Sequence, residues 1–235
     1  MTAPVFYALP EMVGSTLGVE PAVASWDRTE SPGQVRSAAF VAEVRSAVAE
    51  QLSLKPDPLA IRLDIALPAS VPLLQHNDLD NYLFPLVPKL TEATGRQFMS
   101  VWATKRHAAT SSVAVCDAHA VQDPGGACAF QVHTTVSAST NAYKQQIRDQ
   151  IATARPLPDG AVALQLAFVV GPRRAWPNLW KATVDSLGLI LGHDAGAHEW
   201  NTRDGRITQL GLHCIKDPTA GNEVTIAIRA DPANP

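Results

Sequence analysis

The feature that most constrains this chain is an internal repeat with a period of about half its length. Residues 59–68, LAIRLDIALP, and residues 162–171, VALQLAFVVG, are both alternating runs that open into a polar loop. The first loop leads into DLDNYLFPLVPKL at 78–90, the second into WPNLWKATVDSL at 176–187. In that alignment Asn81 matches Asn178, Leu83 matches Trp180 and Leu90 matches Leu187. Each block is followed by strand-like runs: FMSVWATKRH and SSVAV in the first half, ITQLGLHCI and EVTIAI in the second. Each is preceded by a strand-like run, VFYAL or CAFQVHTTV, and a helical stretch. A repeated order of elements points to one supersecondary unit, duplicated and fused. The expected fold class is α+β, with two repeats (1–122 and 123–235) carrying mixed sheets. They would pack as an intramolecular pseudo-dimer about a pseudo-twofold axis, where one surface meets its own copy.

Periodicity places the elements. Residues 1–10 read as a strand and 11–34, with Gly, Ser, Pro and charges, as a loop. Val35, Ala39, Val48 and Leu52 recur at helical spacing, predicting a helix over 35–52. Leu59, Ile61, Leu63, Ile65 and Leu67 alternate as in a half-buried strand. A helix follows from Asp80 or Asn81, either of which is a capping type. Pro85 and Pro88 each remove a backbone donor and predict a kink. The matching helix, 178–191, lacks internal proline and is expected to be the more regular. Asp123-Pro124-Gly125-Gly126 marks the turn between repeats, and the tail ADPANP is expected to fray.

Composition narrows the class. With 46% hydrophobic residues the chain can bury a substantial core. The formal charge is −3, and acidic residues equal or outnumber basic ones in both halves, which argues against a general nucleic-acid binder. Cys116, Cys128 and Cys214 are far apart and show no C-x-x-C, so reduced thiols and a cytoplasmic location are expected. No apolar run approaches the roughly 18 residues of a membrane span, so no membrane partner is expected.

The chemistry sits beside the repeated helices. Asp78 and Asp80, at i and i+2 ahead of a helix, can converge on a divalent cation, because Mg²⁺ takes carboxylate oxygens and meets phosphate. A later acid completes such a centre, and a helix lysine can stabilise developing phosphate charge. The order strand, D-x-D-N-x-x-K-(P)-x-x-D-x-L helix, then an acid before two strands, resembles the RusA family of Holliday-junction resolvases. The resemblance covers both halves. It implies Mg²⁺ held by three acids, an assisting lysine, and homodimers acting on branched DNA.

Each half keeps a different part of the motif. Asp78, Asp80 and Asn81 match its opening, whereas Phe84 stands at the lysine position and Pro88 at the next acid. In the second half Ala175 and Pro177 replace the paired acids, while Asn178, Lys181 and Asp185 match. Asp194 is the expected late acid. A composite centre then consists of Asp78, Asp80 and Asp194 as Mg²⁺ ligands with Lys181 beside them, which requires the acids to lie within about 5 Å of one another. Asn81, Lys105, Arg106, Arg173, Arg174 and Lys181 are the expected nucleic-acid contacts.

Three functions follow as expectations. The leading one is a degenerate, non-catalytic RusA-like protein that needs no cofactor and binds branched nucleic acid or a protein partner. The second is a Mg²⁺-dependent endonuclease with one composite site, and the third is an assembly subunit with no nucleic-acid role. The protein would be a monomeric pseudo-dimer or a homodimer. Elsewhere, His193, Asp194, His198 and Glu199 match no defined metal spacing and read as solvated. Trp176, Trp180 and Trp200 suit core packing or base stacking.

Overall fold

The computed structural model describes residues 2–22 and 31–233. Part of the loop expected over 11–34 therefore lies outside the described residues. The elements are β1 (Phe6–Tyr7), β2 (Ser15–Thr16), α1 (Pro32–Leu54), β3 (Leu59–Leu67), α2 (Leu79–Thr94), β4 (Phe98–His107), β5 (Ser112–Asp117) and β6 (Ala120–Val121). They continue with β7 (Cys128–Thr134), α3 (Asn141–Gln150), β8 (Val162–Val170), α4 (Trp180–Asp185), α5 (Gly188–Leu191), β9 (Ile207–Lys216) and β10 (Val224–Pro232). Short 3₁₀ turns precede α4 (Trp176–Leu179) and β9 (Asp204–Arg206).

The mixed sheets expected of two repeats are one continuous eight-stranded sheet, ordered β2-β5-β3-β4-β9-β8-β10-β7. β1 and β6 form a separate two-stranded sheet. β3 lies parallel to β4 and antiparallel to β5, and β8 lies parallel to β9 and antiparallel to β10. Both parallel pairs shift register after their first residue, at Leu59/Ala60 and at Val162/Ala163. The two three-strand blocks join where β4 runs antiparallel to β9, with Trp102 opposite Gly211. Ser100 then pairs with His213 and Thr104 with Gln209.

The helices bury their apolar faces in one cluster with Val101 and Ala103 of β4 and Leu210 and Leu212 of β9. The opposite face carries Trp102 and His213, packed edge-on at 5.2 Å between centroids, with Phe6 and Tyr7 against the same imidazole. α1 starts at Pro32 behind the capping Ser31, whose side chain accepts from the Gln34 N–H. Its buried face is Phe40, Val41, Val44, Val48 and Leu52, while Val35, expected on that face, is exposed. At the far edge, Gln150 of α3 accepts from the N–H and donates to the C=O of His133, blocking the open side of β7.

Two helix expectations reverse. Pro85 and Pro88 both lie inside the uninterrupted α2. The matching stretch breaks into the 3₁₀ turn, α4 and α5. Thr183 and Ser186 donate back to the carbonyls of Leu179 and Ala182, and the Ser186 and Leu187 amides bond three residues back rather than four. A Cβ on Gly188 would stand 2.0 Å from the His193 ring, so the break brings that loop against the helix. The tail also differs: β10 runs through Pro232, paired with Val162. Among the described residues no helix is long and apolar enough to cross a membrane.

The joint between β4 and β9 tolerates no side chain at its centre. A Cβ on Gly211 would lie 2.8 Å from two atoms of the Trp102 ring and 3.1 Å from His213. Gly211→Val should destabilise the protein by about 1–3 kcal/mol in denaturant unfolding, the usual range for overpacking. An unchanged midpoint would show that the ring shifts freely.

Candidate metal centre at the joint between the halves

Two loops and one short helix bring the functional side chains together. β3 ends at Leu67, and the loop after it reaches α2 through His76 and Asn77, both left-handed at φ 57° and 53°. Neither is glycine, so the local conformation is strained and must be held from outside. Lys105 holds it. Its Nζ donates to the carbonyls of His76 (3.1 Å), Asn77 (3.1 Å) and Gly205 (2.5 Å), using all three ammonium donors. The loop packs so closely that a Cβ on Gly205 would lie 2.8 Å from the His76 nitrogen. Tyr82 adds a hydrogen bond to the Asn77 side chain at 3.0 Å.

This clamp sets Asp78 at the start of α2 and Asp80 in its first turn, against Asp204 from the turn ahead of β9. Oxygens of Asp78, Asp80 and Asp204 lie within 4.8 Å of one another. Lys181 of α4 enters the same cluster: its Nζ is 2.6 Å from Asp204, 3.3 Å from Asp185 and 3.8 Å from Asp80. Asp185 also accepts from Lys144 of α3 at 2.7 Å. Asp80 is buried, and its Oδ2 has no hydrogen-bond partner. Asp78 does not cap α2; its Oδ2 accepts instead from the Asn81 amide at 3.0 Å.

Electrostatics follow from crowding acids in a dry place. Burial pushes Asp80 up to about 7, opposed by Lys181 and reinforced by Asp204, Asp78 and Asp185. Burial and Asp204 also raise Asp78, against Lys181, Lys105 and His76. Burial lowers Lys105 to about 8, opposed by Asp78, Asp204 and Asp80. For Lys181 burial acts downward but is outweighed by Asp80, Asp204 and Asp185, so its charge is held more firmly than usual.

Several expected residues take different places. The third converging acid is Asp204, not Asp194. The Asp194 side chain is 82% exposed and sits 3.6 Å from Arg203, at the rim of a cavity of about 360 Å³ that Asp78 and Asp204 also line. Lys105, expected on the surface with Arg106, is buried on carbonyls, whereas Arg106 and Arg173 are exposed. Arg174, Asn81 and Lys181 line a second cavity of about 580 Å³ on the Asp80 side. Trp176 and Trp180 pack edge to face in the core at 4.8 Å. Trp200 lies under Lys144 and Arg148 instead. Asp204 stands three residues ahead of β9 and Asp194 farther upstream; both precede the strand, so the order of the motif alone does not choose between them.

Asp80 makes stability depend on pH. Its pKa in the folded state is above its value in the unfolded chain, so the folded state holds the extra proton. The stability this contributes is complete below about pH 4 and is lost as pH rises to about 7. Asp80→Asn should remove that decline in metal-free buffer, since Lys181 keeps Asp204 and Asp185. Parallel pH–stability curves for parent and variant would count against a buried, proton-binding Asp80.

The chain matches no protein-family model, and a search of curated proteins likewise finds no match.

Proposed function

We propose that this chain is a tandem, RusA-like pseudo-dimer with one divalent-metal centre, acting as a Mg²⁺-dependent endonuclease that cuts one phosphodiester at a time. The observation that carries the reading is the convergence of Asp78 and Asp80 from one half with Asp204 and Lys181 from the other. The duplication is supported by the matching strand senses and register shifts of the β5-β3-β4 and β10-β8-β9 blocks. The pairing of Trp102 with Gly211 at the centre of the sheet supports this reading, since a fused symmetric dimer would have its axis between equivalent positions.

The residues fit the metal. Three carboxylates supply the hard oxygens that Mg²⁺ or Mn²⁺ prefers, and the buried Asp80 Oδ2 accepts no hydrogen bond, with the Lys181 ammonium 3.8 Å away. Asp78, Asp80 and Asp204 would hold the ion, which when bound polarises a phosphoryl oxygen and offsets developing charge. Lys181 stands beside them as a fixed cation for the oxyanion of the transition state. Lys105 and Gly205 position the two acid-bearing loops. Asn81 orients Asp78. The free cysteines agree with a reducing, cytoplasmic setting.

A second reading has its own support. The Lys181 ammonium already lies among the acids, so the cluster is partly neutralised without a metal. On that reading the protein binds branched nucleic acid or a protein partner and cuts nothing.

Metal titration separates the two. Mn²⁺ or Mg²⁺ at about 100 times its Kd should raise stability by about 2.7 kcal/mol, read as a Tm increase. The increase should vanish in Asp204→Asn and in Asp80→Asn. On a labelled four-way junction, the parent should leave single nicks that both substitutions abolish. Paired, symmetric cuts would sink the single-centre reading. Junction binding with neither a metal-dependent Tm increase nor cleavage would favour the second.

A further inference from the structure

Lys181 is shared by three carboxylates, and the one on its own helix stands apart from the acids of the metal centre. Asp80 comes from α2 and Asp204 from the turn ahead of β9, and both converge with Asp78. Asp185 is not one of those three. It is the last residue of α4, four residues after Lys181, so the two side chains are neighbours on one helix face. Its oxygens are divided. Oδ2 accepts from Lys144 of α3 at 2.7 Å, and Oδ1 faces the Lys181 Nζ at 3.3 Å. Lys144 is held in turn, its ammonium 5.8 Å from the centre of the Trp200 ring. The Lys144 and Asp185 side chains are only 17% and 14% exposed, so the pair is a nearly dry fixture. Lys181 differs: its side chain is 43% exposed and borders the 580 Å³ cavity, which gives it space to move.

A divalent cation and an ammonium compete for one carboxylate, because like charges at contact distance repel. Lys181 donates to Asp204 at 2.6 Å, on an oxygen of the carboxylate that the ion would use. Metal loading therefore requires Lys181 to give up Asp204, either to water or to another acid. We infer that Asp185, fixed by Lys144, is a positioning residue that receives the Lys181 ammonium when the metal centre is filled. The shift needs side-chain torsions alone, since both residues ride on α4. It keeps the cation beside the reacting phosphate instead of releasing it to solvent. Lys105 cannot take this part, because its three donors are spent on carbonyls. The inference rests on the metal-centre reading and adds how Lys181 serves both states of it: a stand-in cation among the acids without the ion, and a tethered neighbour with it.

The test is calorimetric Mn²⁺ affinity of the full chain in a double-mutant cycle of Lys181→Met and Asp185→Asn. Asp185→Asn should weaken Mn²⁺ binding about fivefold, and Lys181→Met should tighten it by a similar factor, the lower end of usual coupling between two sites. With Lys181→Met in place, Asp185→Asn should change the affinity by less than about twofold, since no ammonium remains to be received. Asp185→Glu, which keeps the carboxylate, should bind like the parent. A cooperative melt checks that each variant folds, and Lys181→Gln replaces Lys181→Met in the cycle if the latter does not. Equal weakening by Asp185→Asn in both backgrounds would mean that its charge acts on the ion directly; that result overturns the inference and leaves the metal centre standing. An Asp185→Asn variant with the parent's affinity overturns it as well. Absence of Mn²⁺ binding by the parent overturns the metal-centre reading and this inference together.

Discussion

The structure depends on the antiparallel pairing of β4 with β9. It is the only strand-to-strand link between the two three-strand blocks among the described residues. Its centre is a Trp opposite a Gly, and the indole fills the space that a side chain on Gly211 would need. On the same face His213 bridges Ser100 at 3.1 Å and Gln165 at 3.2 Å. Burial drives that imidazole down to about 3, so it stays neutral and serves as a hydrogen-bonding linker rather than a titrating group. On the other face the same pairing fixes where α2 and α4 meet. A slip of one residue would turn the whole strand over and move Lys105 to the wrong side of the sheet. The position of the acidic cluster is thus a consequence of sheet register.

Buried cations hold this region in an unusual way. Lys105 neutralises no acid by direct contact; it satisfies three carbonyls from two loops. Arg206 does the same on the other side, donating to the carbonyls of Gly160, Leu191, Leu157 and Pro158. Each cation is buried at a desolvation cost that backbone dipoles offset. The two loops that Lys105 ties carry Asp78 and Asp204, whose mutual repulsion would otherwise part them, and Arg206 anchors the turn of Asp204 to residues 157–160. Stability alone does not call for gathering like charges around a buried Asp80 oxygen that accepts no hydrogen bond; concentrations of this kind are characteristic of sites that bind or react.

The α+β class was legible because strands and helices announce themselves by period. LAIRLDIALP and VALQLAFVVG became β3 and β8, each between one parallel and one antiparallel neighbour. The helix details were not legible. Proline count suggested that α2 would break and α4 would not, but tertiary packing carried α2 through Pro85 and Pro88. Hydroxyl groups bonding to the preceding turn broke its counterpart. At the site, Asp78, Asp80 and Lys181 could be picked from the motif. Their meeting in one composite centre was an expectation, but the choice of Asp204 over Asp194 was not legible, because it depends on how the turn ahead of β9 packs against the start of α2. Lys105 sat in a basic triplet that reads as surface; only strand alternation, which puts it on the face of Val101 and Ala103, indicates burial.

The register also bears on why there would be one centre rather than two. If Trp102 and Gly211 mark equivalent positions, Lys105 corresponds to Cys214 and Asp204 to Gly95. Cys214 is buried on the same face of the sheet, but a thiol cannot hold three carbonyls. Gly95 ends α2 in the left-handed conformation at φ 68°, a position suited to glycine and poor for an acid. The mirrored pair of acids is Ala175 and Pro177, and the mirrored lysine is Phe84. On that correspondence the three acids, the lysine and Lys105 would each be replaced by a residue that neither binds a hard cation nor holds the loops, while Asn81 would keep its match in Asn178. Gly95 closes a helix, and Phe84 lines the cavity beside the acidic cluster. A duplicated chain freed from serving two identical sites can keep one set of ligands and turn the other half into its wall. On this view the asymmetry is how a single working site was assembled.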